Sequence, residues 1–289
     1  MADSPLMQFA VTVLEPPGYP HSRACADISE SIHFGLIELG HGSVLQPNTL
    51  HSDRTNIVFA PHLLPNFGNP QLPPDTVLFN LEQIRPQLFE AAPGYREILL
   101  SHRVWDHSQR NVQALHALGA RSAVHVPMGY VPQLTRIPAD ADKDIDVLFY
   151  GTLTPRRQAL CDRIARSGIV VRIESSMYGA ERDALIARSR IVLNICAIDH
   201  GVVFDAVRVC YLLANQAFVI SEGDMDPAQE LIYAGGVVFG SFEALAGLCL
   251  EYLGRESERR QIAARGQLIM QGRRQSAFLE QALLQLRAI

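Results

Sequence analysis

From Asp146 to Arg157 the chain reads DVLFYGTLTPRR. Asp146–Tyr150 is a short apolar run with no helical stripe, which predicts a buried strand. Gly151 then lies at the strand's carboxyl edge, where the missing side chain lets backbone amides approach an anion. Pro155 suits the first turn of a following helix, because its absent N–H would be unpaired there anyway. Arg156 and Arg157 fall in that turn, beside the positive end of the helix dipole. Gly151, Thr152, Arg156 and Arg157 thus read as a diphosphate clamp. The competing reading is a capped helix whose arginines face solvent. Neither a Walker pattern nor GxGxxG occurs, so a phosphate loop of those kinds is not expected.

The rest of the composition agrees with an anion held by arginine. Lys143 is the only lysine among 289 residues, so nearly every fixed cation here is a guanidinium, whose planar fork suits phosphate. A net charge of −5 with no basic tract gives no footprint for nucleic acid. The five cysteines are scattered in apolar surroundings without CxxC or Cys/His spacing, which reads as free thiols in a reducing compartment. No apolar run approaches ~18 residues and no leader pattern opens the chain, so a cytoplasmic protein without membrane insertion is expected.

Strand and helix patterns alternate twice. The first series runs through Phe9–Leu14, a helix over Ser22–Leu39, Ser43–Gln46, Asn56–Ala60, Thr76–Asn80, Val104–Asp106, a helix over Gln109–Leu118 and Ala123–Pro127. A polar, proline-bearing stretch follows, and the second series begins at Asp146. It ends in helices over Phe242–Leu253 and Glu256–Gln285. The pattern predicts an α/β protein of two Rossmann-like, doubly wound domains facing a central cleft. Their bounds are residues 1–131, a linker at 132–144, and 145–289, with the terminal helix a candidate to return to the first domain. Met128–Pro132 reads as a hinge.

A second constellation spans NICAIDHGVVFDAVRVCYLLANQAFVIS (Asn194–Ser221). A strand ends near Asn194, and a helix then carries Asp205 and Arg208 three apart on one face. At the mouth of a sheet that pair suits ribose or sugar hydroxyls, and on a bare surface it is an ordinary ion pair. Asn215 sits where helices commonly end in a left-handed residue. In the first series Glu15, His21, His62, Glu82 and Trp105-Asp106-His107 fall at expected strand ends. His21, Asp106 and His107 are the candidate bases, since removing a proton from an acceptor hydroxyl calls for a histidine or carboxylate. Trp105 and His125 read as core.

These stretches resemble the GT-B-fold glycosyltransferases. YGTLTPRR is similar to that family's glycine-plus-basic loop for the donor diphosphate. FDAVRVCYLLANQAFVIS resembles its helix-turn-strand at the sugar-nucleotide site, with Asn215 in place of the usual glycine. EGDMDPAQELIYAGGVVFGSFEALAGLCLEYL resembles the segment in which a glutamate, here Glu230, contributes to the donor site. EPPGYPH, VWDHS, HVPMGYVP and VRVCYLLAN together look like a group of bacterial glycosyltransferase-like proteins. The resemblance implies a nucleotide-diphosphate-sugar donor, transfer to an unknown acceptor, and no metal cofactor. Asp224-Met-Asp226 has the spelling of a metal-binding DxD motif but falls in a loop inside the second domain. The family's frequent pair of glutamates eight apart is replaced by Val202 and Cys210. That departure keeps open a catalytically inactive nucleotide-sugar-binding protein, and an epimerase of the same fold is a further alternative.

Overall fold

The computed structural model describes residues 6–68, 70–92, 94–138, 142–198, 203–224 and 226–287. The first series forms β1 (Gln8–Val13), α1 (Ala26–Glu38), β2 (Gly42–Leu45), β3 (Thr55–Phe59), β4 (Val77–Asn80), α2 (Pro86–Ala91), α3 (Tyr95–Ser101), β5 (Arg103–Asp106), α4 (Gln109–Ala117) and β6 (Ala123–His125). The second forms β7 (Ile145–Tyr150), α5 (Pro155–Ala165), β8 (Val171–Glu174), α6 (Gly179–Arg188), β9 (Ser189–Asn194), α7 (Ala206–Ala214), β10 (Val219–Glu222), α8 (Pro227–Ile232), β11 (Val238–Gly240), α9 (Leu245–Leu253), α10 (Glu256–Gln271) and α11 (Gln275–Arg287). Two compact units result: Met1–Val131 with Arg274–Ile289, and Pro132–Arg273.

Each unit holds one parallel sheet, ordered β2-β1-β3-β4-β5-β6 in the first and β11-β10-β9-β7-β8 in the second. Parallel strands covered on both faces need apolar residues at nearly every position. That is why Phe9, Ala10, Val11 and Val13, and Val147, Leu148 and Phe149, are buried on both sides of the pleat. In the second unit these strands pack on Leu160 and Ile164 of α5 and on Leu245 and Cys249 of α9. Strand order reverses between β1 and β3 and again between β7 and β9. At such points the carboxyl edges open a crevice, where ligands of doubly wound sheets bind.

Local sequence fixes the helix starts. Ser108, Thr154, Asp205 and Asp226 each stand immediately before a helix and accept from the backbone N–H three residues on. The closing helix expected over Glu256–Gln285 is two helices. The chain turns at Gly272–Arg274, and α11 leaves α10 to dock on α1. Gly35 of α1 permits this docking, since a Cβ there would stand 2.8 Å from the Gln275 and Leu279 side chains. Gln275 is fully buried, accepts from Gly129 N (2.6 Å) and Ser31 Oγ (2.9 Å), and donates to Pro127 O (3.3 Å). A periodic apolar pattern does not distinguish one long helix from two that change partners.

Candidate functional site

At the β7/β9 reversal the opening stretch folds as strand, turn and helix. Gly151 has φ +127°, a conformation open to glycine, and its N–H donates to Glu174 O (2.9 Å). A Cβ on Gly151 would stand 2.9 Å from Nη2 of Arg208. Asp205 caps α7 and pairs with the Arg208 guanidinium at 3.1 Å, which lies 5.1 Å from the Tyr150 ring centre. Nη1 of Arg208 is buried and meets no acceptor among the described residues. A buried donor without a partner costs roughly 1–3 kcal/mol, a cost that a bound acceptor would remove.

The two arginines of the opening stretch are used differently from the clamp expected of them. Arg157 is 8% exposed, and its Nε and Nη2 donate to Ile195 O (2.9 and 2.6 Å) while Nη1 donates to Thr152 O (2.7 Å). Burial, followed by the charge of Arg208, pushes its pKa down to about 10, which still leaves it a cation at neutral pH. Arg156 lies face-on to Phe242 at 3.7 Å, donates to Cys196 O (3.2 Å), and forms a two-pronged ion pair with Glu222. Glu222 is 2% exposed and also accepts from Cys196 N (3.0 Å). Both side chains therefore lock the β7, β9 and β10 ends together. Glu222 and Phe242 were not anticipated, although an acid at the carboxyl end of an otherwise apolar strand is a readable signal.

Asn194 joins this edge, donating to Ser221 Oγ at 3.0 Å. Glu230 organises the turn into α8, accepting from Asp224 N and Asp226 N at 3.1 Å each. Asn215 lies at the other end of α7 from Arg208. Its amide accepts from Arg136 N and Ile137 N and donates to Leu134 O and Tyr211 O, which ties down the incoming chain. The left-handed residue expected at Asn215 is instead Gln216, at φ +55°. Cys210 is fully buried with Sγ 3.1 Å from Tyr233 Oη, while Val202 and Met225 lie outside the described residues.

The first unit collects polar groups at the carboxyl edges of β3, β4 and β5. Asp106 is fully buried, accepting from Asn80 Nδ2 (2.5 Å), Ser108 N (2.8 Å) and Asn111 Nδ2 (3.1 Å). Burial pushes its carboxyl up to about 8 against those donors. His107 is also buried, and its carbonyl faces His125 Nε2 at 3.2 Å. Asp106 and His107 are closed off by burial, whereas His21 is exposed beside Tyr19. His62 and Glu82 stand 3.6 Å apart at the ends of neighbouring strands, with side chains 22% and 42% exposed. Burial lowers the His62 pKa and the Glu82 charge opposes it, so the imidazole is neutral at neutral pH. Ala60, at φ +56° directly after β3, turns the chain to present His62.

Two parallel doubly wound sheets in one chain are what the comparison with solved structures also finds. AviGT4, a glycosyltransferase involved in avilamycin A biosynthesis, superposes with a TM-score of 0.62 at 18% identity, over 97% of each chain. The fold is GT-B. The Anabaena protein HepE, solved in complex with UDP-glucose, also gives 0.62 at 14% identity over 98% of this chain and all of its own. The α,α-trehalose 6-phosphate synthase of Burkholderia multivorans gives 0.60 at 11% identity, over 98% and 99%. In sequence, the chain is 27% identical over 184 residues to the uncharacterized protein L140 of Acanthamoeba polyphaga mimivirus, covering 61% of this chain and 59% of that protein. No family model matches. Among the described residues no helix is long and apolar enough to cross a membrane.

Proposed function

We propose that the protein is a metal-independent glycosyltransferase that takes a nucleoside-diphosphate sugar, with UDP the first nucleotide to test. The observation that carries this reading is the buried, unmatched Nη1 of Arg208 beside Gly151, at the strand-order reversal of the second sheet. The neighbour HepE, solved with UDP-glucose, supports the donor class. Arg208 would stabilise the charge that develops on the departing diphosphate, and a fixed guanidinium does so without reorganising in the transition state. Arg156 and Arg157 support it indirectly, by holding the Gly151 turn and the β9 loop in place. His62, neutral and backed by Glu82, would receive the acceptor hydroxyl's proton.

A panel of UDP-, GDP-, TDP- and CMP-sugars, followed for nucleotide release with and without hydroxylated acceptors, tests the reading. Acceptor-dependent release of one nucleotide supports transfer. Binding without turnover supports the inactive alternative, which the buried thiol of Cys210 at one of the usual glutamate places favours. Release of nucleotide without any acceptor would instead support the epimerase.

A further inference from the structure

The opposite edge of the second sheet carries a different constellation. Where β7 and β9 begin and α7 ends, a cavity of about 670 Å³ is bordered by Lys143, Arg190, Arg259 and Arg260, with Asp142 and Glu256 as its only carboxylates among the described residues. Its volume falls within the range of small-molecule sites, roughly 300–1,000 Å³. Ile186 and Phe218 supply apolar wall.

Two of the cations lack a carboxylate partner among the described residues. Lys143 Nζ donates to Ala187 O (2.9 Å) and Ser189 O (3.0 Å), which accounts for two of the three ammonium protons. Arg259 is 6% exposed, and its Nη1 donates to Tyr252 O and to Leu253 O (2.7 Å). Ala187 lies in the last turn of α6, Ser189 opens β9, and Tyr252 and Leu253 end α9, so these bonds account for part of the donor set. The third Lys143 proton and the Nε and Nη2 groups of Arg259 meet no acceptor among the described residues. The other two cations are paired, Arg190 with Asp146 and Arg260 with Glu256. Burial, then the charges of Arg259, Arg260 and Arg190, holds the Lys143 ammonium below its ordinary pKa. Like charges crowded around a cavity raise the free energy of the empty state, and a bound anion relieves them.

We propose that this cavity is a second anion site, separate from the Gly151–Arg208 turn, that takes a compact organic phosphate. Lys143 and Arg259 hold the phosphoryl oxygens, Arg190 and Arg260 add charge at the rim, and the apolar wall covers the organic part. The assignment stands whether or not the chain transfers sugar. The helix α7 runs from Arg208 at one site to Gln216, just past its end, at the other.

Isothermal titration of the full chain carrying Arg208→Gln, at low ionic strength, tests it with pyrophosphate and adenosine monophosphate. Both should still bind saturably, with the nucleotide at least as tight. Adding Lys143→Gln should weaken both about tenfold, the loss typical of one charge-assisted hydrogen bond. Should that variant fail to fold, Arg260→Gln, whose side chain is 80% exposed, removes rim charge and should weaken binding severalfold. Loss of all binding with Arg208→Gln alone overturns the second site. Binding unchanged by both Lys143→Gln and Arg260→Gln does the same. Pyrophosphate binding without nucleotide binding overturns the organic-phosphate assignment.

Discussion

A methyl group on Gly151 would meet Nη2 of Arg208 at 2.9 Å, so the turn after β7 and the first turn of α7 are fitted to each other. Gly151→Ala must displace the guanidinium and adopt φ +127° at the same time. Strain of this kind costs on the order of 1–3 kcal/mol. The variant should melt several degrees lower and lose affinity for nucleoside diphosphates. Wild-type melting and wild-type affinity together would show that the fit is incidental.

The Arg156–Glu222 pair gives a test of scaffold against ligand-binding roles. Glu222 is almost fully buried, and removing one member of a buried pair typically costs roughly 3 kcal/mol or more. Arg156→Met should therefore destabilise strongly, and Arg156→Met with Glu222→Leu should recover part of the loss in chemical denaturation. If Arg156→Met instead left stability intact and abolished nucleotide binding, Arg156 would be a ligand-holding residue.

Asp106 should leave a signature in the pH dependence of stability. Its folded pKa, about 8, lies above the ordinary 3.8, so the fold favours the protonated form. That contribution is fully present below pH ~4 and is lost as pH rises toward 8. Asp106→Asn removes the titration, so the difference in melting temperature between wild type and variant should change steadily across that window. A constant difference would mean that Asp106 stays ionised, held by Asn80, Ser108 and Asn111.

His62 should show itself in rate and not in donor affinity. Its pKa lies below the ordinary histidine value, so activity should fall on the acid side as the imidazole takes up a proton. His62→Gln should lower kcat about a hundredfold or more, the usual share of a general base, and abolish the acidic limb. UDP binding should be unchanged. A variant with wild-type kcat and the same acidic limb would exclude His62 as the base.

Much of this architecture was legible because parallel strands and capped helices leave strong local signals. The run DVLFY and Pro155 place β7 and the start of α5 to within a residue or two, whereas Asp205, read as a helix residue, is the cap before α7. The side-chain roles at the site were less legible. That Arg156 faces Glu222 and Phe242, sixty-six and eighty-six positions away, depends on how three strand ends converge. The same holds for His62 and Glu82, whose proximity follows from the pairing of β3 with β4. Sequence spacing gave Asp205 and Arg208 as an i,i+3 pair, and only the Gly151 turn shows where that pair points.

The most direct test is calorimetric titration of UDP into the wild type and Arg208→Gln at matched ionic strength. Saturable binding to the wild type, weakened about tenfold or more by the substitution with little change in melting temperature, is the expected result. Equal dissociation constants for the two proteins, or no UDP binding to the wild type, would contradict the donor site described around Gly151.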